Sequence, residues 1–262
     1  MSLSFIKNTG YSENVASATM ALTPANTIGN LLVLSVGSRN AIAIAPVSTV
    51  ADTGGNTWTK LGARTQAGAL DEEFWWTVAT AVCGTLTVTF GGTSASTTTG
   101  LGDVQEWHST IGWPASPPDV SLFNGGTAST SLTTGTSAAT VQASEVVIAM
   151  ALANGSGTFS AQTAGYTTQT LLSSAVPSVG AIMQTAYKIL AATGTQSYGC
   201  TDSASTIWEA ALATFKESAA SGTTCKMEPT GILRSWMRRH PGQTWEQRGR
   251  VTVLRRRIFL PA

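Results

Sequence analysis

The segment Thr85-Leu86-Thr87-Val88-Thr89-Phe90 places an apolar side chain at every second position and a threonine between each pair. In an extended chain, successive side chains point to opposite faces, so Leu86, Val88 and Phe90 share one face and the threonines the other. This two-residue period excludes a helix there, and it recurs along the chain. Leu31-Leu32-Val33-Leu34-Ser35-Val36 follows Gly29-Asn30 and is apolar throughout, which reads as a strand buried on both faces. Ala41 to Val47 is a second apolar run. Thr57-Trp58-Thr59-Lys60-Leu61 alternates after the turn-forming Asp52-Thr53-Gly54-Gly55-Asn56. Glu73 to Ala79 holds Phe74-Trp75-Trp76, and Gly102 to Trp107 follows a Thr/Ser loop.

The second half follows the same order more faintly. Glu145 to Met150 resembles the Leu31 run about 115 positions earlier. Gly165-Tyr166-Thr167-Thr168 stands where Asn56-Thr57-Trp58-Thr59 stood, and Gln184 to Lys188 answers Phe74 to Thr77. Gly194-Thr195 answers Gly84-Thr85, and Trp208 to Phe215 answers the strand ending at Trp107. Two such halves, about 3–110 and 120–217, predict an all-β, two-sheet antiparallel sandwich of jelly-roll type closed on one core. Between them, Trp113 to Asp119 holds three prolines, which do not sit in central strands, so it reads as a surface crossing loop.

Composition agrees with such a fold. Charged residues are 11% of the chain, against roughly 25% in an average soluble domain, while 42% are hydrophobic. Disordered chains combine low hydrophobicity with high net charge, and this chain does neither. The overall charge of +1 conceals a split. Residues 1–217 carry six basic and twelve acidic side chains; residues 218–262 carry nine basic and two acidic ones. A basic tail on an acidic body points to an acidic partner for the tail. No apolar run approaches the roughly 18 residues that cross a membrane. The first residues lack a basic segment followed by an apolar one, so export by a signal peptide is not expected. A particle assembled in the cytoplasm, such as a virion, reconciles that with an exterior-type composition, as would a signal already removed.

Several motifs together carry a resemblance. They are Gly-Asn-Leu-Leu-Val at 29–33, Asp52-x-x-Gly55-Asn56-Thr57-Trp58, the Trp75-Trp76 strand, Thr85 to Phe90, and Ala211-Leu212-Ala213-Thr214-Phe215. This order resembles a recurrent β-sandwich domain of bacterial secreted and surface proteins and of phage structural proteins, over residues 3–216. These are turn and core motifs. The resemblance therefore implies a fold and a role in display or adhesion, at a virion surface or outside a cell, and it brings no catalytic residues.

The tail departs from that pattern. A Ser/Ala/Gly linker at 218–222 leads to Ile232, Leu233, Trp236 and Met237, which are spaced for one helical face with Arg238 and Arg239 among the basic residues opposite. A final strand-like run follows, with Val251, Val253, Arg255, Arg256, Arg257 and Phe259. These apolar groups need covering, so residues 218–262 read as a linker and docking arm. The arm would grip a neighbouring subunit of a homo-oligomer, or another structural protein, by adding a strand to an open edge. An extension foreign to the domain is the alternative. The arginines could contact phosphates, but no nucleic-acid-binding motif accompanies them, so nucleic acid is not the expected partner.

Candidate chemistry is sparse, and neither an enzyme nor a cofactor is expected. His108 and His240 lack partners at zinc spacing. His108 with Asp103 could seed a triad, yet no nucleophile-elbow motif accompanies them. Asp71-Glu72-Glu73 reads as a solvated loop before a strand, with Ca²⁺ binding as the sharper reading. Trp75 and Trp76 are the candidates for glycan contact: adjacent in a strand, they point to opposite faces, so at most one is in the core and the other lies on the outer face or under a loop. Cys83, Cys200 and Cys225 are either three free thiols or a Cys83–Cys200 bridge, with Cys225 left for an intermolecular disulfide.

Overall fold

The computed structural model describes residues 2–13, 17–40, 42–66, 70–92, 98–174, 176 and 179–219, together with the backbone of 243–248 and 251–256. The chain divides into two compact units, Met1–Ala220 and Ser221–Ala262.

The first half of the body supplies β1 (Leu3–Ser12), β2 (Thr19–Leu22), β3 (Leu31–Arg39), β4 (Val47–Asp52), β5 (Thr59–Gln66), β6 (Leu70–Val78), β7 (Leu86–Phe90) and β8 (Thr99–Ser109). The second half supplies β9 (Pro118–Thr133), β10 (Glu145–Asn154), β11 (Phe159–Ser160), β12 (Thr167–Thr168), β13 (Leu172–Ser174), β14 (Ala181–Ile189) and β15 (Gly199–Lys216). Every pairing is antiparallel.

A central five-stranded sheet runs β1-β8-β3-β6-β5, and a three-stranded sheet runs β2-β7-β4. The second half forms one large sheet, in which β9 and β11 pair β15, β15 pairs β10, β10 pairs β14, and β14 pairs β12 and β13. The central and large sheets share one sequence of roles. In each, the first strand of the half lies beside the last, the last beside the early apolar strand, and that strand beside the one carrying Trp76 or Tyr187.

The all-β sandwich stands, with a richer core than a single one between two sheets. Leu31, Val33, Phe74 and Trp107 of the central sheet meet Ile148, Met150, Leu152, Ala213 and Phe215 of the large sheet. On the opposite face of the central sheet, Leu32, Leu34 and Val36 meet Met20, Leu86, Val88 and Phe90 of the small sheet. A third cluster lies on the outer face of the large sheet, where Val147, Ala149 and Ala151 meet Leu132, Tyr198 and Cys200. There the segments 134–140 and 194–198 run alongside each other through Thr134 N–H to Tyr198 O at 2.8 Å and Ser137 N–H to Gln196 O at 2.8 Å. Covering both faces explains why β3 and β10 are apolar without alternation.

Within the Ala41–Val47 run, residues 42–46 form a loop up to the start of β4, because Asn40 Oδ1 accepts the N–H groups of Ile42 and Ala43 and turns the chain. Ile42 is 80% exposed. Within the second unit, β16 (Gln243–Arg248) and β17 (Val251–Arg256) form an antiparallel hairpin in which Trp245 pairs Leu254.

Candidate functional site

The Asp52-Thr53-Gly54-Gly55-Asn56 turn sets the start of β5. Asp52 Oδ1 accepts Gly54 N–H at 2.8 Å, and Asp52 Oδ2 accepts Trp58 Nε1–H at 2.6 Å. Asn56 Oδ1 takes Thr80 N–H at 2.8 Å and Ala81 N–H at 3.0 Å, tying the turn to the end of β6. Gly55 sits at φ 74°, in the left-handed region that glycine tolerates. This brings Thr57 and Thr59 beside Trp76.

The connection from β8 to β9 then lays Trp113-Pro114-Ala115 over the same corner. The result is an open groove of about 360 Å³, walled by Trp76 and Trp113 and edged by Thr57, Thr59, Thr80 and Pro114. Both tryptophans also pack onto the core between the central and large sheets. Among the described residues, no charged side chain lines the groove. Two indoles among neutral hydroxyls suit a ligand with apolar C–H faces and a hydroxyl rim. Trp76 is thus brought to a candidate site. Its partner Trp113 comes from the proline-rich crossing loop.

Trp75 is elsewhere. It packs onto the core between the central and small sheets, donates Nε1–H to Glu73 Oε2 at 2.7 Å, and lies 5.7 Å from Lys60 Nζ. The central sheet is covered on both faces, so each indole is half-buried: Trp75 packs against the core toward the small sheet, and Trp76 lies beside the Trp113 loop rather than on an open outer face.

The acidic triple is corrected more sharply. Asp71, Glu72 and Glu73 lie within β6 and are 2%, 0% and 0% exposed, so they form no solvated loop. Glu73 is fully engaged, by Lys60 Nζ at 2.8 Å, Val47 N–H at 2.9 Å and Trp75. Asp71 Oδ1 accepts the Thr65 hydroxyl at 3.0 Å, and burial together with the Glu73 carboxylate pushes its carboxyl up. Glu72 shares a face with Phe74 and Trp76, toward the large sheet. From β15, Glu209 faces back on the side of Ala211 and Ala213. Among the described residues, no cluster of three or more acidic, His or Cys side chains has metal-holding geometry.

The remaining candidates separate. His108 is exposed and its Nδ1 lies 3.1 Å from Asn30 Oδ1. Asp103 points to the opposite face of β8, into the core, so no triad forms. Cys83 and Cys200 are free and buried in different core clusters, which removes the bridge between them. In the tail, Val251, Val253, Arg255 and Arg256 fall in β17. Cys225, Ile232, Leu233, Trp236, Met237, Arg238, Arg239, Arg257 and Phe259 lie outside the described residues.

No family model, curated protein or solved structure matches this chain.

Proposed function

We propose that the chain is a non-enzymatic display subunit of a larger assembly, in its most specific form a component of a virion surface. The acidic body would be presented outward, and residues 218–262 would anchor it. The observation that carries this reading is the pairing of opposites within one chain. A body with six basic and twelve acidic residues is followed by a separate compact unit with nine basic residues and its own β-hairpin. Such a unit offers strand edges and cationic side chains to an acidic neighbour. Native mass spectrometry and sedimentation of the full chain at low and high salt test the reading. Salt-sensitive oligomers that weaken in Arg255→Glu/Arg256→Glu support it. A strict monomer under all conditions, with a tail open to protease throughout, sinks it.

A second reading, an adhesion module that binds neutral glycans, is favoured by the Trp76–Trp113 groove. A glycan array with the full chain, followed by calorimetry on Trp76→Ala and Trp113→Ala, tests it. An array without hits, or binding indifferent to both substitutions, removes it.

A further inference from the structure

The interface between the central and large sheets is apolar over most of its area, and its polar crossings are not alike. Asp103 on β8 is satisfied by Asn8 Nδ2 at 3.0 Å and by the hydroxyl of Thr185 on β14. Arg39 on β3 gives its guanidinium to the carbonyl of Gly180. Glu72 and Glu209 form the third crossing. Both are 0% exposed, and none of their four carboxyl oxygens has a well-formed hydrogen bond, the Gln66 main chain making only a marginal approach to Glu209.

Two bare carboxylates in such a place would each carry a heavy desolvation cost and would repel one another. The surroundings cannot neutralise both. Opposite Glu72 on β5 stands Arg64, the one cation facing the pair among the described residues; its Nη2 is committed to Gln66 Oε1 at 2.9 Å and Gly125 O at 3.2 Å, while its buried Nε has no hydrogen-bond partner. On the other flank of β6, β3 places Gly37 opposite Glu72 and sends Arg39 to Gly180. Beside Glu209, β9 contributes Gly125 and β10 contributes Leu152, neither ionisable. The adjacent Asp71 adds acid, and Glu73 is already matched by Lys60. One positive charge therefore faces a pair of acids that must retain a proton to stay buried.

We infer that Glu72 and Glu209 form a proton-dependent latch between the two sheets, closed while the pair holds a proton and released when both carboxyls ionise. Burial pushes the Glu72 carboxyl well up, with Glu209 adding to it and Arg64 opposing. Burial likewise raises Glu209, with Asp71 adding and Arg64 and the Gln66 main chain opposing. An acid whose folded pKa is raised supports stability that is complete below its unfolded value. That stability is lost as pH rises through the folded value. The latch thus fails toward alkali, and the seam near β5, β9 and β15 opens first.

The test uses the full chain and two readouts. Infrared difference spectroscopy at neutral pH should show the carbonyl stretch of protonated carboxylic acid, reduced in Glu72→Gln/Glu209→Gln. Hydrogen exchange in β5 and β15, corrected for the intrinsic effect of pH, should rise about tenfold or more between about pH 6 and about pH 10, and the double-Gln variant should abolish that rise. A wild-type spectrum without protonated carboxyl at neutral pH overturns the inference even if the variant does not fold. So does an exchange rise that the folded variant keeps.

Discussion

Thr185 on β14 donates its hydroxyl to Asp103 on β8, so a hydrogen bond crosses the core between two sheets contributed by different halves of the chain. Asp103 is 1% exposed and Thr185 is 1% exposed. A bond with neither end in water resists loss, since the carboxyl cannot recover the missing partner from solvent. Replacing Thr185 by Val keeps the shape and deletes the donor, leaving Asp103 Oδ2 with Gln105 Nε2 at 3.5 Å. The expected outcome is a loss of about 1–3 kcal/mol in urea unfolding with an unchanged slope. An unchanged midpoint would show that this bond adds no net stability.

The approach of β5 to β9 makes the second prediction. A Cβ built on Gly62 would fall 2.6 Å from Phe123 Cε2, and Phe123 also packs against Phe74 with ring centroids 5.9 Å apart. The ring is held between the edge of the central sheet and the core, so it has little room to retreat. Gly62→Ala should destabilise the body by about 1–3 kcal/mol, as overpacking of a filled site does. The companion Gly62→Ala/Phe123→Leu should recover part of that loss in thermal melts. Equal melting of wild type and Gly62→Ala would refute the close fit.

How far the fold was legible follows from what each segment's neighbours are. The strands around Leu31, Thr85 and Glu145 announce themselves because their own period or apolar continuity sets their burial. Pro117-Pro118 marks the passage between halves for an equally local reason. Glu72 could not be read that way. Three consecutive carboxyls look like a solvated loop until Arg64 on β5 and Glu209, far along the chain, are brought to them. The run at Ala41–Val47 misled for the opposite reason, since a single side chain, Asn40, redirects the backbone. Trp76 was legible as a candidate and Trp113 as a loop residue, but their meeting depends on how β8 hands over to β9. The strand β9 itself, Ser/Thr-rich and half-exposed along much of its length, carries no apolar period strong enough to declare it.

The thiols supply the third prediction. Cys83 is 0% exposed with its backbone N–H held by Asn26 Oδ1 at 2.7 Å, and Cys200 is 5% exposed. Burial raises both thiols to about 12, with Asp52 adding at Cys83 and Asp202 at Cys200. Thiolate is the reactive form, so at neutral pH each should react at least about a thousandfold more slowly than a free cysteine. In Cys225→Ser, an aromatic disulfide reagent should label no thiol of the native protein and two after denaturation. Rapid labelling of either one in the native protein would contradict the closed cores that contain them.

The Asp52 turn sets the acid limit as the carboxyl latch sets the alkaline one. Burial alone would raise the Asp52 carboxyl. The hydrogen bonds from the Trp58 indole, the Asn56 side chain and the backbone N–H groups of Asn56 and Gly54 outweigh it and leave the pKa lowered. A lowered acid supports stability that is present above its unfolded value, near 3.9, and lost as pH falls through the folded one. Asp52→Ala removes the acceptor of all four groups and should cost about 1–3 kcal/mol at neutral pH. It should also widen the groove at Thr57 and Thr59, weakening any ligand held between Trp76 and Trp113. The gap in melting temperature between wild type and Asp52→Ala should narrow steadily below about pH 4, because protonation does to the wild type what the substitution has already done. A gap that stays constant into acid would mean that the turn is held by its main chain, with the carboxylate contributing nothing.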